Sequence, residues 1–504
     1  RGEWVRKAAV KPALTNEFKA VVEAPAAELS GAYPLVLDLD GTLLRTDLLL
    51  EAALNYVKRH PLGLFMLIVW VRSGIAHLKH RLAQQCDIST ELLPINERLA
   101  AYARGEAERG RTVIAATAAN RHLANKVCAR FSFICEVLAS SETVNLKGAR
   151  KADALSERYP GGFAYAGDAP ADLSIWREAR FGIFAGRDSR LRQRLTKVTL
   201  LEADFSHARP GARDWLKAAR LHQWAKNGLV FLPLLLAGHL LDVAGWLKCV
   251  AAFIAMGLTA SATYIVNDLL DLDADRQHWT KRNRPLASGR IGIPQAMAAA
   301  ALLLGAGLAI ALASGGLPVL GALVLYCAAT LGYSLHLKRI PVLDVTVLAA
   351  LFTMRLGLGA VAADVRLSSW LSVFSMFLFL SLALAKRSTE IGRKGTATAA
   401  SHGRGYVAAD GPLVVSLGVA SAFGAVLMMV LYLIHEAFGE PIYRSPQILW
   451  GAPVFIGLWL GRVWLLCGRG VLHDDPVAFA ITDKTSIWLG ASVVASFGAA
   501  AVFG

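Results

Sequence analysis

From about Gly228 to the last residues of the chain, apolar stretches of roughly 18 to 22 residues follow one another with only short polar breaks. At 1.5 Å per residue, each is long enough to cross about 30 Å of hydrocarbon as a helix. The pattern predicts insertion into a membrane, with spans near 228–246, 248–266, 291–313, 317–334, 342–363, 369–385, 412–434, 449–468 and 486–503, nine in all. Composition agrees. Hydrophobic residues make up 55% of the chain and charged residues 18%, against roughly one quarter charged in soluble domains. A disordered or fibrous chain is excluded. The first 210 or so residues are mixed in character, so the chain divides into an extension (1–30), a soluble domain (31–205), an amphipathic linker and entry helix (206–227) and an all-helical membrane domain (228–504).

Lys and Arg number 53 against 38 Asp and Glu, a formal net charge of +15. Much of the excess lies in loops: Arg276, Lys281, Arg282, Arg284 and Arg290 after the second span, Lys338 and Arg339 after the fourth, and Lys386, Arg387, Arg393, Lys394 and Arg404 after the sixth. The intervening loops are nearly bare, with Arg366 and Arg444 the main exceptions. Basic loops stay in the cytosol, which predicts a multi-pass protein of the inner (cytoplasmic) membrane with its soluble domain on the cytosolic side. Cations so placed suit a phosphorylated substrate or membrane lipids. Nucleic acid is not an expected partner, because the sequence carries no helix-turn-helix, zinc or RNA-binding signature. Six cysteines (Cys86, Cys128, Cys135, Cys249, Cys327, Cys467) form no CxxC pair, so neither a zinc site nor a disulfide framework is indicated. No charged-then-apolar export signal is seen, and the apolar patch Leu62–Val71, about half a span, is expected to pack within a helix.

In the soluble domain, a short apolar run from Tyr33 to Leu37 leads into Asp38-Leu39-Asp40-Gly41-Thr42. Two carboxylates one residue apart at a strand end, followed by Gly for a tight turn, suit a nucleophile and a general acid in one site. A second strand-like run, Val113–Ala116, ends at Thr117, a hydroxyl able to bind a phosphoryl oxygen. Lys151 opens a helical stretch and supplies a cation, with Lys147 the second candidate. A third run, Phe163–Ala166, leads to Gly167-Asp168-Ala169-Pro170-Ala171-Asp172, whose carboxylates can complete a Mg²⁺ site of oxygen ligands.

These four elements in this order resemble the haloacid dehalogenase (HAD) phosphatases over about residues 30–200, with a helical insertion near 45–110 in the position of a cap. The resemblance implies a Rossmann-like α/β fold. It also implies that Asp38 attacks phosphorus, that Asp40 protonates the leaving oxygen and then activates water, and that Thr117 and Lys151 stabilise phosphoryl oxygens. Asp38, the carbonyl of Asp40, and Asp168 would hold Mg²⁺, with Asp172 supporting them.

Just after the second span stands Asn267-Asp268-Leu269-Leu270-Asp271-Leu272-Asp273-Ala274-Asp275. Spacings of three and four predict Asp268, Asp271 and Asp275 on one helical face. Acids at the membrane end of an apolar helix are costly unless they carry a load, and Mg²⁺ bound to diphosphate is the load inferred. The basic loop with Lys281, Arg282 and Arg284 can close on the same polyanion.

This NDxxDxxxD pattern, the spans and the following RPLASG loop resemble the UbiA superfamily of intramembrane prenyltransferases over about residues 213–504. A second acidic repeat typical of members that use prenyl diphosphates is replaced here by Lys386, Arg387 and Glu390. Gln223, Trp224, Lys226 and Asn227, the stretch Tyr333 to Arg339 with Lys338, Asp344 with Arg355, and the late Asp474-Asp475-Pro476 with Asp483 resemble the decaprenyl-phosphate phosphoribosyltransferases. That resemblance implies transfer of phosphoribose from 5-phosphoribosyl diphosphate (PRPP) to a polyprenyl phosphate, with acids and Mg²⁺ for the diphosphate and a separate basic cluster for the 5-phosphate. Asp344 and Arg355, eleven residues apart, return to nearly one helical face, where they either pair with each other or meet substrate. The soluble domain would then remove the product's 5-phosphate. Two alternatives are weighed beside this: a prenyltransferase acting on an aromatic acceptor such as 4-hydroxybenzoate, and a soluble domain that only regulates. A homo-oligomer is left open.

Overall fold

The computed structural model describes residues 33–60, 63–86, 88–239, 241–392, 405–472, 479–480 and 482–503. The 1–30 extension, Arg393, Lys394, Arg404 and Asp474-Asp475-Pro476 lie outside the described residues. The chain forms two compact units: one runs to Lys217 and takes in Asp268–Ala296, and the other comprises Ala218–Asn267 and Met297–Gly504.

The first unit is built on a six-stranded sheet of β1 (Leu35–Leu37), β2 (Val113–Asn120), β3 (Glu136–Ser140), β4 (Ala164–Gly167), β5 (Phe181–Phe184) and β6 (Leu200–Asp204). All pairings are parallel, in the order β3-β2-β1-β4-β5-β6. Short apolar runs form these strands because both sheet faces are covered. Leu35, Leu37, Val113, Ala115, Ala164 and Ala166 enter one core, while Val36, Ile114, Ala116 and Tyr165 enter the other. The strand order reverses between β1 and β4, which opens a crevice at their carboxyl ends. Asp38 follows β1 and Asp168 follows β4, so the topology brings both to that crevice.

Four helices lie between β1 and β2: α1 (Leu48–Arg59), α2 (Gly63–Arg72), α3 (Ile75–Gln85) and α4 (Glu97–Glu108). The Asp47 side chain caps α1 by accepting from Leu50 N–H, and Lys58 and Arg59 sit in its last turn, where they offset the helix dipole. The expected packing of the 62–71 patch needs correction. α2 is a helix, but only Gly63 and Trp70 are buried, while Leu64, Phe65, Met66, Ile68, Val69 and Val71 are exposed. Ten residues cannot bury every side when only one face meets α1, through Tyr56 and Trp70.

Later helices of the first unit are α5 (Arg121–Cys128), α6 (Ala149–Arg158), α7 (Leu173–Glu178) and α8 (Ser189–Leu195).

Seven helices among the described residues are long and apolar enough to cross a membrane. They are α9 (Val243–Leu270), α11 (Ile293–Leu335), α12 (Leu343–Ala363), α13 (Ser369–Gly392), α14 (Gly411–His435), α15 (Gly451–Gly468) and α16 (Lys484–Val502), with the short α10 (Leu272–Gln277) following α9. The expectation of nine spans differs from these seven helices in two places, and only the first overturns an expected stretch. The stretch 228–246 does not form one helix: a 3-10 segment, Leu221–Phe231, passes into the short helix Leu232–Leu236, then to Gly238 at φ 75°. Pro233 lacks an amide donor, and Gly238 takes up the left-handed backbone that ends the turn. The stretches expected at 291–313 and 317–334 both fall within α11, where the backbone leaves the helix at Gly316 (φ 65°, ψ −157°) just before Pro318, so the two expected stretches stand as two helices joined at that kink.

Small residues let the membrane helices approach closely. A Cβ on Gly359 would lie 2.0 Å from the Val230 carbonyl oxygen, and one on Gly418 would lie 2.1 Å from Trp464.

Candidate functional site

The crevice of the first unit collects four carboxyl groups and a lysine. Asp38 follows β1 directly, and its N–H donates to Ala166 O on β4 at 3.0 Å. Its Oδ1 accepts from Leu39 N–H at 2.9 Å and faces Lys151 Nζ at 3.0 Å. Lys151 is buried on α6 and also donates to Ala116 O (3.1 Å) and the Tyr165 hydroxyl (3.0 Å), so three partners aim its ammonium. Lys147, the second candidate, precedes α6.

Asp168 Oδ1 accepts from Thr42 Oγ1 at 3.1 Å. Asp172 Oδ2 accepts from the backbone N–H groups of Asp168 (3.0 Å) and Ala169 (2.9 Å), while its Oδ1 takes the Tyr165 hydroxyl at 3.0 Å. Gly41 (φ 78°) is required here: a Cβ would lie 2.3 Å from Asp168 Oδ2, in a backbone region that side chains disfavour. Thr117, on β2, is fully buried, and its Oγ1 accepts from Ala119 N–H at 3.0 Å.

Oxygen atoms of Asp38, Asp168 and Asp172 lie within 4.8 Å of one another, the one group of three or more metal-ligand residues among the described residues. Burial, then Asp172 and Asp38, pushes Asp168 up to about 8. Burial, then Asp38, raises Asp172 to about 6, with Lys151 opposing. Carboxylates crowded until they resist ionisation fit a divalent cation of oxygen preference. Asp40 is pushed up to about 7 by burial and then by Asp47, while the Leu48 N–H at the start of α1, 2.8 Å from Asp40 Oδ1, pulls the other way. Sequence reasoning misses Lys79 on α3. Its Nζ donates to Ala118 O (2.5 Å) and Asn145 Oδ1 (2.9 Å), and burial lowers its pKa against the pull of Asp40. No local motif marks a lysine in a helical insertion.

The acidic segment needs correction. α9 ends at Leu270 and α10 begins at Leu272, with Asp271 non-helical between them (φ −103°, ψ 17°). The helical face expected to carry Asp268, Asp271 and Asp275 is therefore interrupted, and these three do not come within one ion's reach together. Asp268 and Asp275, both buried, converge instead on one nitrogen: Arg284 Nη1 lies 3.1 Å from Asp268 Oδ1 and 2.6 Å from Asp275 Oδ2. Two carboxylates that already share a cationic atom fit a metal ion as a pair. Asp271 faces Lys58 of α1 at 3.3 Å. Lys281 stands 3.9 Å from Asp275, and Arg282 is exposed.

The second unit holds two buried arginines. Arg387 Nε donates to Asp344 Oδ2 (2.6 Å), its Nη1 to Glu390 Oε2 (2.7 Å) and its Nη2 to the Tyr333 hydroxyl (3.5 Å), while Tyr406 donates to Asp344 Oδ1 (2.6 Å). Arg355 Nε donates to Asn227 Oδ1 (3.1 Å), its Nη2 to the Tyr326 hydroxyl (2.9 Å) and its Nη1 to Leu351 O (2.6 Å). Asp344 and Arg355 do not pair with each other: eleven residues of one helix set them about 16 Å apart along its axis, and each is held by partners nearer to it. Lys226 lies beside the Phe352 ring (5.9 Å to its centroid), on an apolar pocket lined also by Leu229, Leu232 and Phe379. Gln223 and Asn267 are half-buried, as are Lys338 and Lys386, whereas Arg339 is exposed.

Residues 230–490, just over half of the chain, match the UbiA prenyltransferase family. The chain belongs to that family. A Sinorhizobium fredii protein named "Uncharacterized protein y4nM" is 40% identical over 473 residues, covering 92% of this chain and 90% of its own length. "Nodulation protein NoeC" of Azorhizobium caulinodans is 31% identical, covering 54% and 88%. A "Decaprenyl-phosphate phosphoribosyltransferase" of Mycobacterium tuberculosis is 30% identical over 295 residues, covering 57% and 94%.

Proposed function

We propose that this UbiA-family protein transfers 5-phosphoribose from PRPP to a polyprenyl phosphate at the cytosolic face of the cytoplasmic membrane. Its α/β domain, acting as an HAD-type phosphatase, would then remove the 5-phosphate. The first step is supported by likeness to proteins named for that transfer, together with the buried pair Asp268 and Asp275 around one cation. The second is carried by Lys151 at 3.0 Å from Asp38, with Asp168 and Asp172 within reach of one ion.

In the transfer, a lipid phosphate oxygen attacks C1 of PRPP. The C1–O bond breaks, the electron pair leaves with diphosphate, and the anomeric centre inverts. The attacking oxygen is already anionic, so positioning and electrostatics supply the catalysis. Arg284 and Lys281 meet the diphosphate. Lys226, beside its apolar pocket, suits a phosphate carried on a hydrocarbon chain, while Lys338, Arg339 and Lys386 serve the 5-phosphate. Arg387, buried among acids, holds its helix and orients its neighbour Lys386.

In the second step, Asp38 attacks phosphorus and the bond to the ribose O5 breaks. Asp40, kept partly protonated at neutral pH because burial pushes its pKa up to about 7, gives its proton to that oxygen. Water then attacks phosphorus, Asp40 takes its proton, and phosphate leaves. Lys151 and Thr117 hold phosphoryl oxygens throughout. Divalent ions held by Asp38, Asp168 and Asp172, and by Asp268 and Asp275, would offset the charge on phosphoryl and diphosphate groups.

Membranes given PRPP labelled in its ribose should carry the label into the lipid phase, and membranes given labelled prenyl diphosphate plus 4-hydroxybenzoate should not form the prenylated aromatic. The reverse result assigns the chain to aromatic prenylation. In Asp38→Asn, the lipid product should retain its 5-phosphate. Ribose lipid already lacking that phosphate in the variant sinks the phosphatase role.

A further inference from the structure

One face of α1 carries Glu51, Asn55 and Lys58, spaced by four and three residues. All three close on the acidic segment. Glu51 meets Arg276 in a bidentate pair (2.6 and 3.2 Å), Asn55 Nδ2 donates to Asp273 Oδ2 (3.4 Å), and Lys58 Nζ lies 3.3 Å from Asp271 Oδ1. The same helix receives Asp40 at its first residue through Leu48 N–H. A helix of the α/β domain therefore runs from one candidate site to the other.

Exposure separates the roles of these residues. Glu51 and Arg276 side chains are each 4% exposed, a buried pair that fixes geometry. Lys58 and Asp271 are 31% and 22% exposed, where an ion pair adds only about 0–1 kcal/mol to stability. Such a pair does little to hold the fold, yet it sets an ammonium with three donors beside an acid of the diphosphate segment. The Mycobacterium tuberculosis relative, aligned over 94% of its length by 295 residues, has no room for a domain of this size, so α1 is an addition in chains like this one.

We propose that α1 is part of the diphosphate-binding site: Lys58 is a cation that contacts the diphosphate, and Glu51 positions the acidic segment through Arg276. The proposal rests on the reading that this segment binds diphosphate.

The test uses the full chain in lipid nanodiscs, titrated calorimetrically with inorganic diphosphate in excess magnesium. The signal read is the binding lost in Asp268→Asn, which sets aside diphosphate bound at the phosphatase crevice. Lys58→Met should weaken that binding about tenfold, as for one charge-assisted contact, with an unchanged thermal midpoint, and Lys58→Arg should restore it. Glu51→Gln should weaken binding and lower the midpoint together. Parent affinity in Lys58→Met overturns the proposal, as does a parent protein with no Asp268-dependent binding. Diphosphate is released whichever donor is used, so failure of labelled PRPP to react leaves this result standing, and the two readings fall separately.

Discussion

Glu51 and Arg276, 225 positions apart in the chain, close a bidentate ion pair with both side chains 4% exposed. Thr46 Oγ1 donates to Glu51 Oε1 at 2.5 Å, and Arg276 Nε donates to Ala287 O at 3.1 Å, so few polar atoms of the pair lack a partner. Removing one member strands the other charge in a dry site at a cost of about 3–5 kcal/mol. Glu51→Gln and Arg276→Met should each lower stability by that order in denaturant unfolding. The double replacement Glu51→Leu with Arg276→Met should cost less than the sum of the two. Additive losses would show that the two residues act independently.

The acids of the crevice give a pH prediction. Asp168 at about 8 and Asp172 at about 6 both lie above 3.8, their ordinary value. The folded state then binds protons that the unfolded state has released, so without divalent cation stability falls as pH rises from about 4 to about 8. Magnesium should therefore raise the thermal midpoint more at pH 8 than at pH 5. The increment should disappear in Asp168→Asn, and an equal increment there would place the ion elsewhere.

His207 acts in the opposite sense. Burial, followed by the charges of Arg45, Arg187 and Arg98, lowers its pKa from 6.5 to about 4. The unfolded chain takes up a proton near pH 6.5 that the folded chain refuses, so stability is lost as pH falls from about 6.5 to about 4. His207→Gln should remove roughly 1–2 kcal/mol of that acid sensitivity, a figure reduced for partial exposure. An unchanged unfolding profile across that interval counts against the assignment.

Neighbouring cations on α13 should separate by phenotype. Arg387 is 1% exposed and bound to Asp344 and Glu390, whereas Lys386 is half-buried. Arg387→Lys cannot keep both contacts of the fork, so it should lower the thermal midpoint as well as activity. Lys386→Met should raise the KM for PRPP about tenfold, as for a lost phosphate contact, with a parent-like midpoint. The opposite pattern would move the substrate role to Arg387.

Local patterns were readable wherever chemistry and folding share a short stretch of chain. The turn after β1 carries Asp38, Asp40 and Gly41 within four residues, and the glycine is demanded by Asp168 facing it. The expected stretch 228–246 failed because hydropathy sees length but not the Pro233 and Gly238 breaks, whereas the stretches expected on either side of Gly316 are the two halves of α11. The acidic helical face failed for a similar reason: spacing assumes a continuous helix, and the backbone leaves it at Asp271.

Read alone, the residues separate a mixed first unit from a helical membrane domain, and their motifs resemble an α/β fold in the one and the UbiA superfamily in the other. Apolar run length is a local property that acts through burial and needs no knowledge of distant partners. Which cation meets which acid is settled by folding: Arg284 on Asp268 and Asp275, Arg387 on Asp344, and α1 on the segment from Asp271 to Arg276. Ion pairing depends on distances of a few ångströms between residues tens to hundreds of positions apart, and those distances exist only once the chain has folded.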